Sequence, residues 1–303
     1  MLLSNPLAYP LLPPLGVTLA GLFAGSLVAL LLSVRGRWEA LQASVLFTRW
    51  RTWLVVAPVY SLVILAGPLP VALFAMALAV QGVSEYARLA DLPPTDRLFL
   101  VTASALVPLA CVLLPTRLLG LYALLTPIVA SLPALVAGDV KLGLRRVGRL
   151  AFGLGYLPLL LGLLPLLARH PQGGPGLLLA LGLGVALSDV GAFAFGRLFG
   201  RRALAPRLSP SKTWAGALGN VMGASLGVAL LVEHVPAGVP VVALALLTAV
   251  GAIWGDLLES LLKRSAQVKD SGAWLPGFGG LLDRVDSLLI VLPLVYALLE
   301  ATR

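Results

Sequence analysis

Charged residues are scarce in this sequence. Only 12% of its 303 residues are charged, whereas 59% are hydrophobic. A soluble domain has roughly 25% charged residues, so the composition indicates an integral membrane protein. The formal net charge of +9 then reflects basic loops beside anionic lipid rather than a nucleic-acid partner. We therefore expect a lipid bilayer around the chain and no bound nucleic acid.

Cysteine and histidine are almost missing as well. The single cysteine, Cys111, lies in an apolar run, so neither a disulfide nor a thiolate metal site can form within one chain. The two histidines, His170 and His234, lie outside residues 255–287, which form the most polar stretch of the sequence.

Long apolar runs fill most of the chain. Runs of about 17–25 apolar residues can cross a bilayer as helices. The sequence predicts ten such spans, near residues 16–34, 52–67, 69–87, 98–115, 118–137, 150–168, 176–196, 214–232, 240–257 and 283–300. We therefore expect an all-α polytopic membrane protein with about nine to ten transmembrane helices, short loops and a polar site at its cytoplasmic face.

Basic residues are concentrated in alternate loops. If the N-terminus lies outside, 19 of the 22 Lys and Arg residues fall in the inside segments 35–51, 88–97, 138–149, 197–213 and 258–284. Such an excess is typical of cytoplasmic loops. We therefore predict a multi-pass protein of the cell (inner or plasma) membrane, with these loops in the cytoplasm.

Three features of the N-terminal half have plain structural interpretations. Residues 35–53 and 141–149 combine basic residues with apolar ones and predict interfacial helices. We favour topology anchoring over lipid-substrate binding for both segments. Glu85 lies near the inner end of its span, close to Arg88, and is interpreted as one half of a snorkelling ion pair.

The most polar stretch covers residues 255–287. Asp256 ends one predicted span, and Asp283 and Asp286 begin the next, so two helix ends can present carboxylates to one point. Oxygen ligands of this kind suit Mg²⁺ that is shared with substrate phosphates. The stretch thus predicts a divalent-metal site for a phosphorylated substrate; the alternative is a basic loop with helix-end ion pairs. The basic residues available to phosphates are Lys263, Arg264, Lys269 and Arg284.

A second polar region precedes this stretch. Asp189 lies within an apolar span, where a carboxylate is a functional candidate; a structural hydrogen bond between helices is the alternative. The following Ser-Pro-Ser-Lys-Thr segment predicts a helix start, with Ser209 or Ser211 as its cap and Pro210 in the first turn. Free N–H groups there, together with Lys212, would form a phosphate cradle.

These residues resemble the phosphatidate cytidylyltransferases, the CDP-diacylglycerol synthases. The main pattern is Ser260-x-x-Lys263-Arg264-x4-Lys269-Asp270-x-Gly272-x3-Pro276-Gly277-x-Gly279-Gly280-x2-Asp283-Arg284-x-Asp286-Ser287. The upstream matches are Asp189-x-Gly191-Ala192-Phe193-x-Phe195-Gly196-Arg197 and Leu208-Ser209-Pro210-x-Lys212-Thr213-x-x-Gly216. The resemblance is close over roughly residues 188–288 and generic before them.

The resemblance implies an enzyme that joins CTP and phosphatidate, or a related lipid phosphate, to give CDP-diacylglycerol and pyrophosphate in phospholipid biosynthesis. It implies Asp256 and Asp283 as ligands of Mg²⁺, with a monovalent cation such as K⁺ as a further candidate. The expected catalytic residues are Lys212, Lys263, Arg264, Lys269, Asp270, Arg284 and Asp286. The expected substrate-binding residues are Asp189, Ser209, Thr213, Gly279, Gly280 and Ser287. We expect N-terminal helices over 1–175, a catalytic region over 176–303, and leave a homodimer open.

The sequence departs from the family pattern around the site. Phe278 stands where the family has His, Ser211 and Ala215 replace Lys and Glu, and Val190 and Phe193 replace Thr and Tyr. The metal aspartates and basic pairs remain, so we expect an active enzyme. The alternatives are transfer to another membrane lipid phosphate, and an attenuated or non-catalytic paralogue that binds lipid or a partner enzyme. A transporter fits less well, because the polar residues gather at one membrane face rather than the midplane.

Overall fold

Helices make up most of the chain. The structure, a computed structural model, describes residues 2–114, 117–268, 271–272 and 279–303. Within these residues the α-helices are α1 Leu12–Ser33, α2 Trp38–Gln42, α3 Val45–Leu65, α4 Pro68–Leu89, α5 Pro94–Leu113, α6 Arg117–Val136, α7 Gly143–Leu154, α8 Leu163–Arg169, α9 Pro175–Phe199, α10 Trp214–Leu230, α11 Val241–Ser265 and α12 Leu282–Ala301. The strands β1 Ala203–Ala205 and β2 Ser209–Thr213 pair antiparallel as a small hairpin. The predicted all-α class is confirmed.

Several of these helices can cross a bilayer. Among the described residues, six stretches are long and apolar enough: Leu12–Ser33, Pro68–Leu89, Pro94–Leu113, Gly143–Arg169, Pro175–Phe199 and Val241–Ser265. Gly120–Val136 and Trp214–Leu230 are shorter apolar helices. The chain is therefore a multi-pass membrane protein. The count of nine to ten spans, the orientation and the particular membrane stay predictions.

The first predicted interfacial segment has different boundaries in the structure. Its second half belongs to α3, which runs from Val45 to Leu65 without a break. Ser44 caps this helix, because its Oγ accepts a hydrogen bond from the Phe47 N–H (3.1 Å). Trp50 then packs α3 on α1, where its indole N–H donates to Ser26 Oγ (3.1 Å). Residues 45–53 are therefore part of the long helix α3. Within the predicted interfacial segment 35–53, the short α2 is the separate helix.

A wide helical turn joins α7 to α8. Residues Gly155–Leu159 are π-helical and include Pro158. Proline lacks an N–H group and clashes with the preceding turn, so a locally widened helix accommodates it. The turn directs Tyr156, which is 5% exposed, into the protein. At the basic end of α7, Arg146 forms an ion pair with the buried Asp96 of α5.

Close helix packing brings α11 against α12. A Cβ atom at Gly255 would clash with the backbone of Asp286, and one at Gly251 would lie 2.9 Å from Val291 Cα. Small residues allow membrane helices to approach in this way. The approach places the carboxyl-terminal end of α11 beside the first turn of α12. One hydrophobic core connects helices from both predicted halves of the chain, and the division at residue 175 stays a prediction.

Candidate active site

Three carboxylates from α11 and α12 form a group that we call the acidic cluster: Asp256, Glu259 and Asp286. One oxygen from each lies within 4.8 Å of the others. Asp256 and Glu259 are three residues apart and share a face of α11, while the close helix packing brings Asp286 opposite them. Glu259 is 1% exposed and Asp286 is 7% exposed. Carboxylates this close repel one another unless a cation lies nearby.

The donor set of the acidic cluster fits a divalent cation. Its ligands are carboxylate oxygens, which Mg²⁺ prefers. Glu259 Oε1 is buried and has no hydrogen-bond partner among the described residues, so one oxygen is free for a ligand. The sequence predicted Asp256 and Asp283 as metal ligands; the structure gathers Asp256 with Glu259 and Asp286, and metal binding by Asp283 stays a prediction. Sequence reasoning missed Glu259, although its spacing from Asp256 was a usable signal.

Asp283 has a different environment. Its Oδ2 accepts hydrogen bonds from the Ser271 N–H (3.1 Å), the Ser271 hydroxyl (2.9 Å) and the Gly280 N–H (2.8 Å). Its Oδ1 lies 2.7 Å from Lys263 Nζ, and Lys263 Nζ also lies 2.5 Å from Glu259 Oε2. Asp283 therefore holds Ser271 and Gly280, and we call the described residues 271–272 and 279–281 the turn before α12. Lys263 connects this turn to the acidic cluster.

Basic residues border the acidic cluster on its exposed side. Lys212 Nζ lies 2.6 Å from Asp256 Oδ2. Asp189, from α9, interacts electrostatically with Asp256, Lys212 and Arg284. Arg49, from α3, also reaches the neighbourhood of Arg284. Lys212 and Asp256 are thus in contact, and Asp189 and Arg284 lie near enough to influence them electrostatically. The sequence did not predict Arg49 as a neighbour of Arg284.

The Ser-Pro-Ser-Lys-Thr segment forms β2 rather than a helix start. The prediction of Ser209 or Ser211 as the helix cap is wrong: Thr213 caps α10, and its Oγ1 accepts a hydrogen bond from the Gly216 N–H (3.0 Å). The residue before a proline disfavours helical backbone, so Pro210 favours an extended strand here. The helix N-terminus is therefore partly satisfied by Thr213, and Lys212 lies beside the acidic cluster.

The remaining predicted site residues lie in different environments. Arg264 Nε donates to the Leu208 carbonyl (3.4 Å), and the Ser287 hydroxyl donates to the Ala252 carbonyl of α11 (3.3 Å). Gly279 has φ of +87°, a backbone conformation that glycine adopts readily. Lys269, Asp270, Pro276, Gly277 and Phe278 lie outside the described residues.

Two further residues of the N-terminal half reach the site. Glu85 is buried and accepts hydrogen bonds from the N–H groups of Leu281 and Leu282 (3.0 and 2.8 Å). The interpretation of Glu85 as a snorkelling ion pair is therefore wrong. The Tyr156 hydroxyl is buried without a hydrogen-bond partner among the described residues, and it interacts electrostatically with Glu259 and Asp286.

The fold and the acidic cluster together define a polytopic membrane protein with an oxygen-rich candidate cation site where α11 meets α12. Residues 47–302 match the cytidylyltransferase family, so the chain belongs to that family.

Relatives named for an enzymatic activity match part of this chain. A phosphatidate cytidylyltransferase of Brucella suis is 50% identical over 113 residues, which are 36% of this chain and 41% of the relative. The enzyme of that name from Mycobacterium leprae is 35% identical over 161 residues, 52% of this chain and 51% of the relative. Phosphatidate cytidylyltransferase 5, chloroplastic, of Arabidopsis thaliana is 42% identical over 117 residues, 38% of this chain and 29% of the relative. The matched segments thus span about half or less of these relatives' length.

Proposed function

We propose that this protein transfers CMP from CTP to phosphatidate and releases CDP-diacylglycerol and pyrophosphate. The observation that carries the proposal is the acidic cluster with Lys212 and Arg284 beside it, in a chain of the cytidylyltransferase family. Carboxylates and cations gathered in this way suit the binding of a metal together with phosphate groups. The relatives' activity supports the same reaction.

The reaction requires accurate positioning of the two substrates more than it requires proton transfer. A phosphate oxygen of phosphatidate is already anionic near neutral pH and can attack the α-phosphorus of CTP in line. The new bond joins that oxygen to the α-phosphorus, and the bond between the α-phosphorus and the bridging oxygen breaks to release pyrophosphate. Catalysis then rests on alignment and on neutralising phosphate charge.

Asp256 and Asp283 are the proposed Mg²⁺ ligands, and the geometry adds Glu259 and Asp286 as candidates. When bound, Mg²⁺ would neutralise charge on phosphate oxygens; a monovalent ion such as K⁺ is a further proposal. The carboxylates hold the cation and keep neighbouring basic side chains in place. Glu259 can also offer its unpartnered Oε1 to the ion.

The basic residues would hold the substrates' phosphates. Lys212 is close to the exposed Asp256 carboxylate and can exchange that contact for a phosphate oxygen. Lys263 and Arg264 follow on the same end of α11 and add positive charge, while Arg284 lies on the first turn of α12. Lys269 and Asp270 keep their proposed catalytic roles on the basis of the sequence pattern.

The site's location suits a lipid and a water-soluble substrate. The acidic cluster lies towards the end of the apolar helix α11, so acyl chains can remain in the bilayer while CTP arrives from water. We propose that this end faces the cytoplasm and that the protein resides in the cell membrane. We also propose a homodimer, which mass measurement in detergent would test.

A lipid-acceptor panel tests the proposed reaction. Purified protein is incubated with radiolabelled CTP, Mg²⁺ and phosphatidate, a polyprenyl phosphate or an ether-lipid phosphate. The expected result is a labelled CDP-lipid with phosphatidate as the preferred acceptor. Preference for another acceptor would change the substrate class, and absence of labelled lipid with every acceptor would contradict the enzyme proposal.

A further inference from the structure

We propose that Glu85 is a positioning residue that holds the turn before α12 and, through it, the carboxylates of the active site. The proposal rests on the proposed function and deepens it, because it assigns part of the site to the N-terminal helices. Glu85 lies on α4, 196 residues from the Leu281 N–H that it accepts. It touches neither substrate nor metal in this account and acts through the residues that it holds.

The contacts of Glu85 engage both of its oxygens. Oε1 accepts from the Leu281 N–H (3.0 Å) and from Gln81 Nε2 (3.0 Å). Oε2 accepts from the Leu282 N–H (2.8 Å) and lies 3.2 Å from the Ser271 hydroxyl, whose single hydrogen can be donated to it or to Asp283 Oδ2. The side chain is fully buried. These hydrogen bonds offset the cost of burying the carboxylate.

Two of those donors belong to the N-terminus of α12. The first N–H groups of a helix have no partner inside the helix, and the helix dipole favours a negative charge beside them. Leu281 N-caps α12 without a side-chain hydrogen bond of its own. Glu85 supplies from α4 the acceptor that the helix lacks in its own sequence, so it fixes where α12 begins.

The turn is also shaped tightly around this carboxylate. A Cβ atom at Gly280 would lie 2.5 Å from Glu85 Oε2, and one at Gly272 would lie 3.1 Å from Glu85 Oε1. A side chain at Gly280 would clash with Glu85, and one at Gly272 would be crowded by it. The two glycines and the carboxylate therefore form one close-fitting unit.

Hydrogen bonds connect this unit to the active site. The Ser271 hydroxyl lies within hydrogen-bond distance of both Glu85 Oε2 (3.2 Å) and Asp283 Oδ2 (2.9 Å). Asp283 pairs with Lys263, which pairs with Glu259 of the acidic cluster. Asp286 lies one turn after Leu282 on α12. A change at Glu85 should therefore move the candidate metal ligands without removing any of them.

The test compares two buried carboxylates of the N-terminal helices. Glu85→Gln keeps the volume but presents an amide NH₂ to groups that are themselves donors. Asp96→Asn is the matched control, because Asp96 is equally buried but pairs with Arg146 of α7. The full-length protein in detergent is titrated with Mg²⁺ alone, following the Mg²⁺-dependent rise in unfolding temperature, and separately in the CTP assay.

For Glu85→Gln we expect a higher Mg²⁺ requirement in both titrations. The Mg²⁺ concentration that gives half of the maximal rise in unfolding temperature, or half of the maximal activity, should increase about 10-fold, as is typical of groups that orient metal ligands. Asp96→Asn should lower the unfolding temperature without metal and leave the Mg²⁺ dependence unchanged. Ser271→Ala should show a smaller rise in the same direction, and it decides the question if Glu85→Gln does not fold.

A wild-type Mg²⁺ dependence in Glu85→Gln, an equal rise in Asp96→Asn, or no Mg²⁺ effect on the wild-type unfolding temperature would overturn the proposal. The proposed function fails separately, if the wild-type protein forms no CDP-lipid. In that case the titration with Mg²⁺ alone still measures the effect of Glu85.

Discussion

Two kinds of carboxylate setting meet where α11 packs on α12. Asp283 is surrounded by donors: two from Ser271, one from Gly280 and the amine of Lys263. The acidic cluster instead places one oxygen from each of three carboxylates within 4.8 Å of the others. In the described part of the chain, Glu259 Oε1 has no hydrogen-bond partner. Asp283 therefore has several donors for one carboxylate, whereas in the acidic cluster Lys212 and Lys263 face three carboxylates. On this comparison Asp283 orders the residues before α12, and the acidic cluster is the proposed cation site.

The two settings should respond differently to loss of a negative charge. Neutralising Asp283 breaks its buried ion pair with Lys263, while neutralising Asp286 removes one of three neighbouring carboxylate charges. Stability and activity should therefore separate, as is common at sites built for function. Four substitutions test the difference, in order of decreasing expected effect.

Asp286→Asn should give the largest loss of activity. Removing a group that supports charge neutralisation at a reacting centre typically lowers the rate by about 100-fold or more. Without metal the unfolding temperature should stay equal or rise, because one of three repelling charges is gone. Steady-state CDP-lipid formation and thermal unfolding in detergent measure the two effects. Asp139→Asn, at a half-buried residue of the loop before α7, is the control. Near-normal turnover of Asp286→Asn would remove the acidic cluster from the mechanism.

Asp283→Asn should lower stability most. Breaking a buried ion pair by removing one partner costs about 3–5 kcal/mol, and Asp283 is 6% exposed. The unfolding temperature without Mg²⁺ should fall, and activity should fall with it. If the unfolding temperature instead stays unchanged while Mg²⁺ binding is lost, Asp283 is a metal ligand in the sense that the sequence predicted.

Lys212→Ala should weaken substrate use by a smaller factor. A hydrogen bond to a charged group contributes about 1.5–3 kcal/mol, which is about 10- to 100-fold in kcat/KM for CTP. The ratio is measured from initial rates at varied CTP. Lys141→Ala, an exposed lysine before α7, serves as the control. Equal values for both variants would place Lys212 outside the phosphate-binding residues.

Tyr156→Phe should have the smallest effect. Its hydroxyl has no partner among the described residues, so its removal should leave stability unchanged or slightly higher. If the hydroxyl supports a ligand of the acidic cluster, the Mg²⁺ concentration at half-effect should rise about 2- to 10-fold, the value of one neutral hydrogen bond. Tyr122→Phe is matched, since its hydroxyl is also buried and has no hydrogen-bond partner within the described ranges. If the two variants behave alike, that role of Tyr156 is excluded.

The sequence predicted those parts of the molecule that depend on local pattern. Apolar runs predicted helices, and the spacing around Asp256, Asp283 and Asp286 placed carboxylates at two neighbouring helix ends. Contacts between residues far apart in the sequence could not be predicted in this way. The contact of Glu85 with α12 crosses 196 residues, and nothing near Glu85 in the sequence records it. The hairpin was missed because Ser-Pro-Ser-Lys-Thr is compatible with both a capped helix and a strand, and only pairing with residues 203–205 selects the strand.

The most direct test of the account is the product balance of the purified protein. CDP-diacylglycerol and pyrophosphate are measured together after incubation with CTP and phosphatidate, with and without Mg²⁺, for the wild type and Asp286→Asn. We expect equal amounts of the two products from the wild type with Mg²⁺, and almost none without Mg²⁺ or from Asp286→Asn. Pyrophosphate without CDP-lipid, or unchanged product formation by Asp286→Asn, would contradict it.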